Sequence, residues 1–312
     1  MERTPPNGAS MTAATTTPAP ERTHRATGPA AVLFAAGLWG TVGPAQVLAA
    51  STADPGTLGV LRLLLGGALL ALCVRFRQWR SAFHKPVLGW VLLAAVATGM
   101  YQVTFLHAVD RLGAALGTTI ALGIAPVATG LCARLWTAEK LTTGWVLTTA
   151  IAVSGCVVLL APTQSQPISL TGTAVAVISG SCYGVYTVAA KKYLDAGAPA
   201  LPTTAITLLI AGAALSPILL HAPAGLLSVN TALLVAWLAF AATTCAYASF
   251  VYGLRRTTAP ATATLSLAEP LLAAALGVLV LREHLPPTAV AGALLLLAAL
   301  ITTTFTGRSA SR

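Results

Sequence analysis

The sequence predicts an all-α integral membrane protein of ten transmembrane helices, arranged as two five-helix repeats of inverted topology. Three observations predict it. The first is composition: of 312 residues, 56% are hydrophobic and only 8% charged, with a mean hydropathy of +0.80. A soluble domain carries about 25% charged residues, so this chain has too little polar surface to face water all round. The second is pattern. Apolar runs of about 20 residues are separated by polar breaks, as spanning helices require, whereas the strands of a barrel would alternate. The third is self-similarity. Shifting the sequence by 144 residues lays Pro126 on Pro270, Glu139 on Glu283, Leu141 on Leu285, Thr118 on Thr262, Arg111 on Arg255, Gly40 on Gly184 and Trp39 on Tyr183. Matches of Pro, Glu, Arg and Gly at one offset mark a duplicated unit.

In chain order, residues 1–28 are rich in Thr, Pro and Ala and read as a disordered cytoplasmic tail without the apolar run of a signal peptide. The first repeat covers 29–162, with expected spans at 29–50, 56–74, 87–108, 114–134 and 144–162. The stretch APTQSQPISL, with Pro162 and Pro167, is the seam. The second repeat covers 170–305, with spans at 170–190, 203–221, 231–253, 260–281 and 287–305, and 306–312 is a second tail. Each run gives a helix of roughly 30 Å, enough to cross a bilayer.

The net charge of +10 would suggest nucleic acid for a soluble protein, but here the basic residues sit in short loops and report topology. With the N-terminus inside, Arg3, Arg22, Arg25, Arg75, Arg77, Arg80, Lys85, Arg134, Lys140, Lys191, Lys192, Arg255, Arg256, Arg308 and Arg312 are cytoplasmic, and only Arg111 and Arg282 are outside. Both termini are therefore expected in the cytoplasm. Five helices per repeat is an odd number, so the second repeat inserts upside down relative to the first, an arrangement typical of secondary transporters. Cys73, Cys132, Cys156, Cys182 and Cys245 all lie inside apolar runs and match no metal or disulfide spacing. No G-x-x-x-x-G-K-[ST] motif occurs, which argues against ATP as the energy source. No cofactor, metal or nucleic acid is expected. Ala/Leu/Arg-rich usage associates the chain with the plasma membrane of a prokaryote, and oligomeric state is left open.

An ordered set of short motifs carries a resemblance. Leu38-Trp39-Gly40 lies in the first span, Arg62-Leu63 in the second and Phe105-Leu106-His107-Ala108 closes the third. Pro126 and Glu139 follow, and the second repeat carries Tyr183-Gly184, Glu269-Pro270 and Glu283. With the duplication, these resemble the EamA family of the drug/metabolite transporter superfamily over residues 29–305. The resemblance implies a ten-helix inverted-repeat transporter with a central pocket, commonly an exporter of small metabolites or drugs, and not an enzyme. It implies no particular substrate.

Candidate site residues follow from polarity at depth. Glu269 lies about nine residues into the ninth span, near the bilayer midplane, where an unpaired carboxylate is costly. It either faces a cavity, binding a cationic group or carrying a proton, or is a structural acid satisfied within the bundle. Arg62, about eight residues into the second span, either snorkels outward or binds an anionic group or Glu269. Trp39 and Tyr183, repeat mates near mid-span, line a pocket or pack. Tyr101 and Gln102 in the third span, with Thr243, Thr244 and Tyr247 in the eighth, bond between helices or line a pore. Gly37, Gly40, Gly43, Gly180 and Gly184 read as close-packing positions. Glu139 and Glu283 read as structural acids beside the helices that follow them. The functional expectation is alternating-access transport, most simply efflux, of a small amino-acid-like or drug-like metabolite. A proton is the candidate coupling ion and ion-free exchange the alternative. The competing classes are an intramembrane enzyme acting on a lipid and a non-transporting membrane subunit. Neither needs a duplication with a midplane charge.

Overall fold

The computed structural model describes residues 21–75, 78–79, 85–161, 169–221 and 228–306. Residues 1–20 of the expected tail, the seam at 162–168 and the tail from 307 lie outside them. The described chain folds into ten helical units. These are α1a (Glu21–Gly40) with α1b (Val42–Ala49), α2 (Pro55–Leu72), α3 (Lys85–Leu112), α4 (Ala114–Trp136) and α5 (Thr143–Leu159). The second repeat supplies α6 (Leu170–Asp195), α7 (Ala200–Leu215) with a 3-10 turn (Ser216–His221), and α8a (Val229–Ala239) joined by a π turn (Phe240–Cys245) to α8b (Ala246–Leu254). It ends with α9a (Ala259–Ser266), α9b (Ala268–Leu279) and α10 (Pro287–Thr306). Nine of these units are long and apolar enough to cross a bilayer; α5, with 17 residues, is the shortest. Among the described residues there is no strand.

Starts are written into the sequence. Asp54 accepts the Thr57 N–H at 2.8 Å, with Pro55 as the first helical residue of α2. Thr142, Ser169, Ser228 and Thr258 likewise accept backbone N–H groups at the starts of α5, α6, α8a and α9a. Two helices overrun the spans the apolar runs suggest: α3 continues to Leu112 and α6 to Asp195. Their polar ends are held by partners: the Arg111 Nη1 donates to the Thr171 hydroxyl at 2.9 Å, and the Lys192 Nζ donates to the Trp136 carbonyl at 3.0 Å and lies 5.3 Å from the Trp90 ring centre. Helix α1a begins at Glu21, inside the segment expected to be tail. Gly28, about two turns into α1a, fits against Arg256 and Thr257 just past the end of α8b.

The packing repeats itself. Helix α1 packs on α8b and on α9; its mate α6 packs on α3 and α4, the mates of α8 and α9. Contacts of α2 with α8 mirror those of α7 with α3, and the pairs α2–α7 and α5–α10 straddle the pseudo-twofold axis. The correspondence reaches single atoms. A Cβ on Gly40 would lie 3.2 Å from the Ala273 nitrogen and 3.2 Å from the Leu272 Cβ; one on Gly184 would lie 2.7 Å from the Thr129 nitrogen and 2.9 Å from the Ala128 Cβ. Thr129 and Ala128 are the mates of Ala273 and Leu272. Both glycines are therefore required for close helix approach.

Two trios result, α1–α8–α9 and α6–α3–α4, and they differ in regularity. Helices α3, α4 and α6 run unbroken. The first trio is interrupted three times. Pro44 has no N–H to give the Gly40 carbonyl, and the Thr41 N–H turns instead to Leu38 O at 3.2 Å. Pro270 frees the Ser266 carbonyl in the same way, and the Leu267 N–H bonds Thr264 O at 3.1 Å. In α8 the Thr244 hydroxyl lies 2.9 Å from Ala239 O and 3.0 Å from Gly66 O on α2, holding the π turn.

Candidate functional site

Between the trios lies a cavity of about 420 Å³. It runs from mid-bundle, at Trp39, Arg62 and Ser266, to the end where Pro55, Val109, Ala114 and Leu160 stand. The opposite end is closed. There a buried apolar cluster joins the starting half of α3 (Val87, Val91, Ala94) to the final turns of α6 and α8b (Val188, Leu194, Leu254). Lys191 ties these last two together by donating to Leu254 O at 3.2 Å.

All seven sequence-derived candidates line this one cavity. Arg62 does not snorkel to the membrane surface; its Nε donates to the Thr243 hydroxyl in the π turn at 3.3 Å, which turns the guanidinium inward. Glu269 stands half-buried just past the Leu267 break, its backbone held against Gly40. Arg62 and Glu269 share the cavity, close enough for their charges to act on one another, without forming an ion pair. Gln102 lies over Gly59 of α2, where any side chain would displace it.

The floor is aromatic. The Trp39 ring meets Tyr247 nearly edge-on at 5.5 Å and Phe250 at 5.4 Å. The Tyr183 hydroxyl donates to the Ser266 hydroxyl at 2.8 Å, and its ring lies 6.2 Å from that of Tyr101, which stacks on Phe105. Offset and edge contacts of this kind fix ring orientation. Tyr186, not singled out from the sequence, completes the floor with its ring 5.9 Å from both Tyr247 and Phe250. Its signal was its spacing: three residues after Tyr183, it shares that helix face. Gln46, the one amide in α1b, also lines the wall. The Trp39 Nε1 and the Tyr186 hydroxyl are buried without a hydrogen-bond partner, two unused donors around one aromatic group. Among the described residues no three His, Cys, Asp or Glu side chains gather as a metal site.

Glu139 behaves otherwise than its position beside α5 suggests. Thr142 caps α5, and the Glu139 carboxylate faces the N–H of Ala259, the first residue of α9a, so it couples the two repeats. Burial pushes its carboxyl above the usual carboxylate range, against the opposing pull of Lys191 and the Ala259 N–H.

The duplication is also what comparison with known proteins returns. Residues 26–161 and 170–305 each match the EamA-like transporter family. The uncharacterized transporter YwfM of Bacillus subtilis is 35% identical over 280 residues, covering 86% of this chain and 91% of that protein. The uncharacterized protein PA1977 of Pseudomonas aeruginosa is 32% identical over 229 residues, covering 73% of this chain and 76% of that protein. One solved crystal structure superimposes with a TM-score of 0.78 at 21% identity, spanning 93% of this chain and 99% of that one, a likeness that carries the fold alone. Two matched repeats, a transporter relative aligned over most of its length and a bundle built about one pseudo-twofold axis lead to one assignment: the chain belongs to the EamA-like transporter family and is a multi-pass membrane transporter.

Proposed function

We propose that this transporter exports a small amphipathic metabolite bearing both an anionic and a cationic group, in the manner of an α-amino acid with an apolar side chain. The observation that carries the reading is the company Arg62 and Glu269 keep. Opposite charges face one 420 Å³ cavity without pairing, above a floor of Trp39, Tyr183, Tyr186 and Tyr247. Ligand sites of this volume are mostly apolar with a few convergent polar groups. A zwitterion would satisfy both charges at once, and its apolar part would cover the rings. Tyr101 and Gln102 would complete the wall.

Alternating access is the mechanism in this reading. In this reading the protein sits in a prokaryotic plasma membrane with both termini cytoplasmic, an orientation the bias of Lys and Arg favours; the cavity then faces outward and the apolar cluster seals the cytoplasmic side. Exchange of conformation between the repeats would open the other side. Export is the direction the family resemblance favours, and Glu269 is the residue on which proton coupling rests. Counterflow in proteoliposomes loaded with amino acids, nucleosides and cationic drugs, run with wild type and Glu269→Gln, tests the proposal. Exchange of amino acids by wild type, abolished by the substitution, is the expected result. Exchange of another class alone overturns the substrate, and exchange by the variant equal to wild type removes Glu269 from the cycle.

A further inference from the structure

We infer that Gly123 in α4 and Gly99 in α3 are the hinges at which the unbroken trio breaks when the cavity opens to the other side. The inference rests on the alternating-access reading and adds to it the positions that must bend.

The broken trio supplies the template. Its breaks fall at Thr41, within Phe240–Cys245, and at Leu267. Subtracting the repeat offset of 144, the mates of the last two are residues 96–101 in α3 and Gly123 in α4. If the repeats exchange conformations, α4 must adopt the break now at Leu267, and α3 the turn now at Phe240–Cys245. Glycine stands at both places.

These glycines have no steric reason to be there. Within α4, Gly117 and Gly130 are demanded by packing: added Cβ atoms would lie 3.0 Å from the Ala108 carbonyl and 2.5 Å from the Trp145 ring. At Gly123 the nearest atom is Val153 Cγ1 at an ordinary 3.5 Å, and at Gly99 nothing comes within 4 Å. Both positions are buried in the bundle, and both would accept a methyl in this state. A glycine inside a helix lowers its stability relative to alanine, so one without a packing role points to a conformational role. Helix α4 carries the second requirement as well. Pro126, the mate of Pro270, already deprives the Leu122 carbonyl of its donor, and Gly123 is the next residue. The unbroken α4 thus holds the same proline that follows the break in α9, with a glycine at the place of that break.

The test needs no transported ligand. In a chain with the five native cysteines replaced, single reporters are placed at Gln46→Cys, on the present cavity wall, and at its repeat mate Ala190→Cys, now fully buried in the closed end. Impermeant maleimide labels vesicles of both orientations, so the two reporters should react from opposite faces. Gly99→Ala and Gly123→Ala are each expected to slow labelling at 190 about fivefold, the helix-propensity difference between glycine and alanine. Labelling at 46 should persist and reports a folded chain. Gly89→Ala is the control: it also has open space, but its mate Leu233 lies in unbroken α8a, and labelling at 190 should not change. Labelling at 190 that is equal in wild type, Gly99→Ala and Gly123→Ala, or equally slowed by Gly89→Ala, overturns the hinges while leaving alternating access standing. A wild type that never labels at 190 while labelling at 46 removes alternating access and the hinges together.

Discussion

Helices α4 and α9 carry the same proline at the same place in the repeat, yet α9 is interrupted at Leu267 and α4 runs unbroken through Gly123. The cause is not the proline, which removes one N–H from each. It is the surroundings. Helix α4 is clasped along its length by α6, with Gly184 seated against Thr129 and Gly180 against Ile124, whereas α9 meets α1 at a point where α1 is itself interrupted. The difference teaches that a bilayer-spanning helix can store a defect silently. The backbone weakness is local, but its expression depends on which neighbours close around it.

The largest expected effect breaks the symmetry of the site rather than of the fold. Glu269 has Ala125 as its mate and Arg62 has Ile206, so the charges belong to one orientation only. Glu269→Ala should lower substrate exchange about 10- to 100-fold, the scale of a lost interaction with a charged group. Adding Ala125→Glu should not restore it, because no cation stands at 206. Initial rates of counterflow read both. Recovery by the double variant would mean that either repeat can supply the carboxylate.

Next come the prolines themselves, with opposite signs. Pro126→Ala returns a donor to the Leu122 carbonyl and favours the straight α4 of this state; Pro270→Ala returns one to Ser266 and favours a straight α9, the arrangement of the opposite state. Proline costs a helix interior roughly 3 kcal/mol, so a shift of about tenfold or more in each direction is expected in the ratio of labelling at positions 46 and 190. Shifts of the same sign would show that the two prolines do not report on exchanging conformations.

The paired glycines sharpen the same contrast through stability. Gly184→Ala forces a Cβ against the Thr129 nitrogen in the tightly packed trio, and overpacking of this kind costs about 1–3 kcal/mol. Gly40→Ala makes the corresponding clash beside the Leu267 break, where the chain can give. Thermal unfolding in detergent should drop by about 5 °C for Gly184→Ala and by roughly half that for Gly40→Ala. Equal losses would mean that the breaks do not loosen the first trio.

How much of this was legible follows from where the physics is local. The spans were, because lipid forces each backbone polar group to be satisfied within its own helix and leaves long apolar runs as the trace. The seven cavity residues were, because arginine, glutamate and tyrosine at mid-span are rare enough to stand out. Tyr186 was hidden by its burial in a run of apolar neighbours, although its spacing from Tyr183 marked it. The π turn of α8 was out of reach, since it depends on Thr244 finding a carbonyl of Gly66 on α2. Leu267 was half visible: Pro270 announces a weak point, but Pro126 announces an equal one in a helix that stays straight. Glu139 was read as a structural acid beside α5, but the Ala259 N–H that its carboxylate faces was out of reach, because it lies 120 residues further along the chain.

The smallest effect tests whether Glu139, at the closed end, has the weight that its burial suggests. Its carboxyl is raised above the usual range by desolvation, so its protonated form is favoured in the folded chain relative to the unfolded one. The sign follows from linkage. The contribution is complete below the unfolded value of about 4.5 and is lost as pH rises through the higher folded value, so stability should decline with pH over that interval. Glu139→Gln should flatten the decline, changing the melting temperature by no more than about 3 °C at neutral pH because Lys191 and the Ala259 N–H already offset part of the burial. Glu283→Gln, at the exposed mate position, should change it less. Thermal scans of the three proteins from pH 4.5 to 8 decide the matter. A steeper decline in Glu139→Gln would mean that the ionised carboxylate at the α9a start outweighs its desolvation, making the contact between repeats strongest when charged.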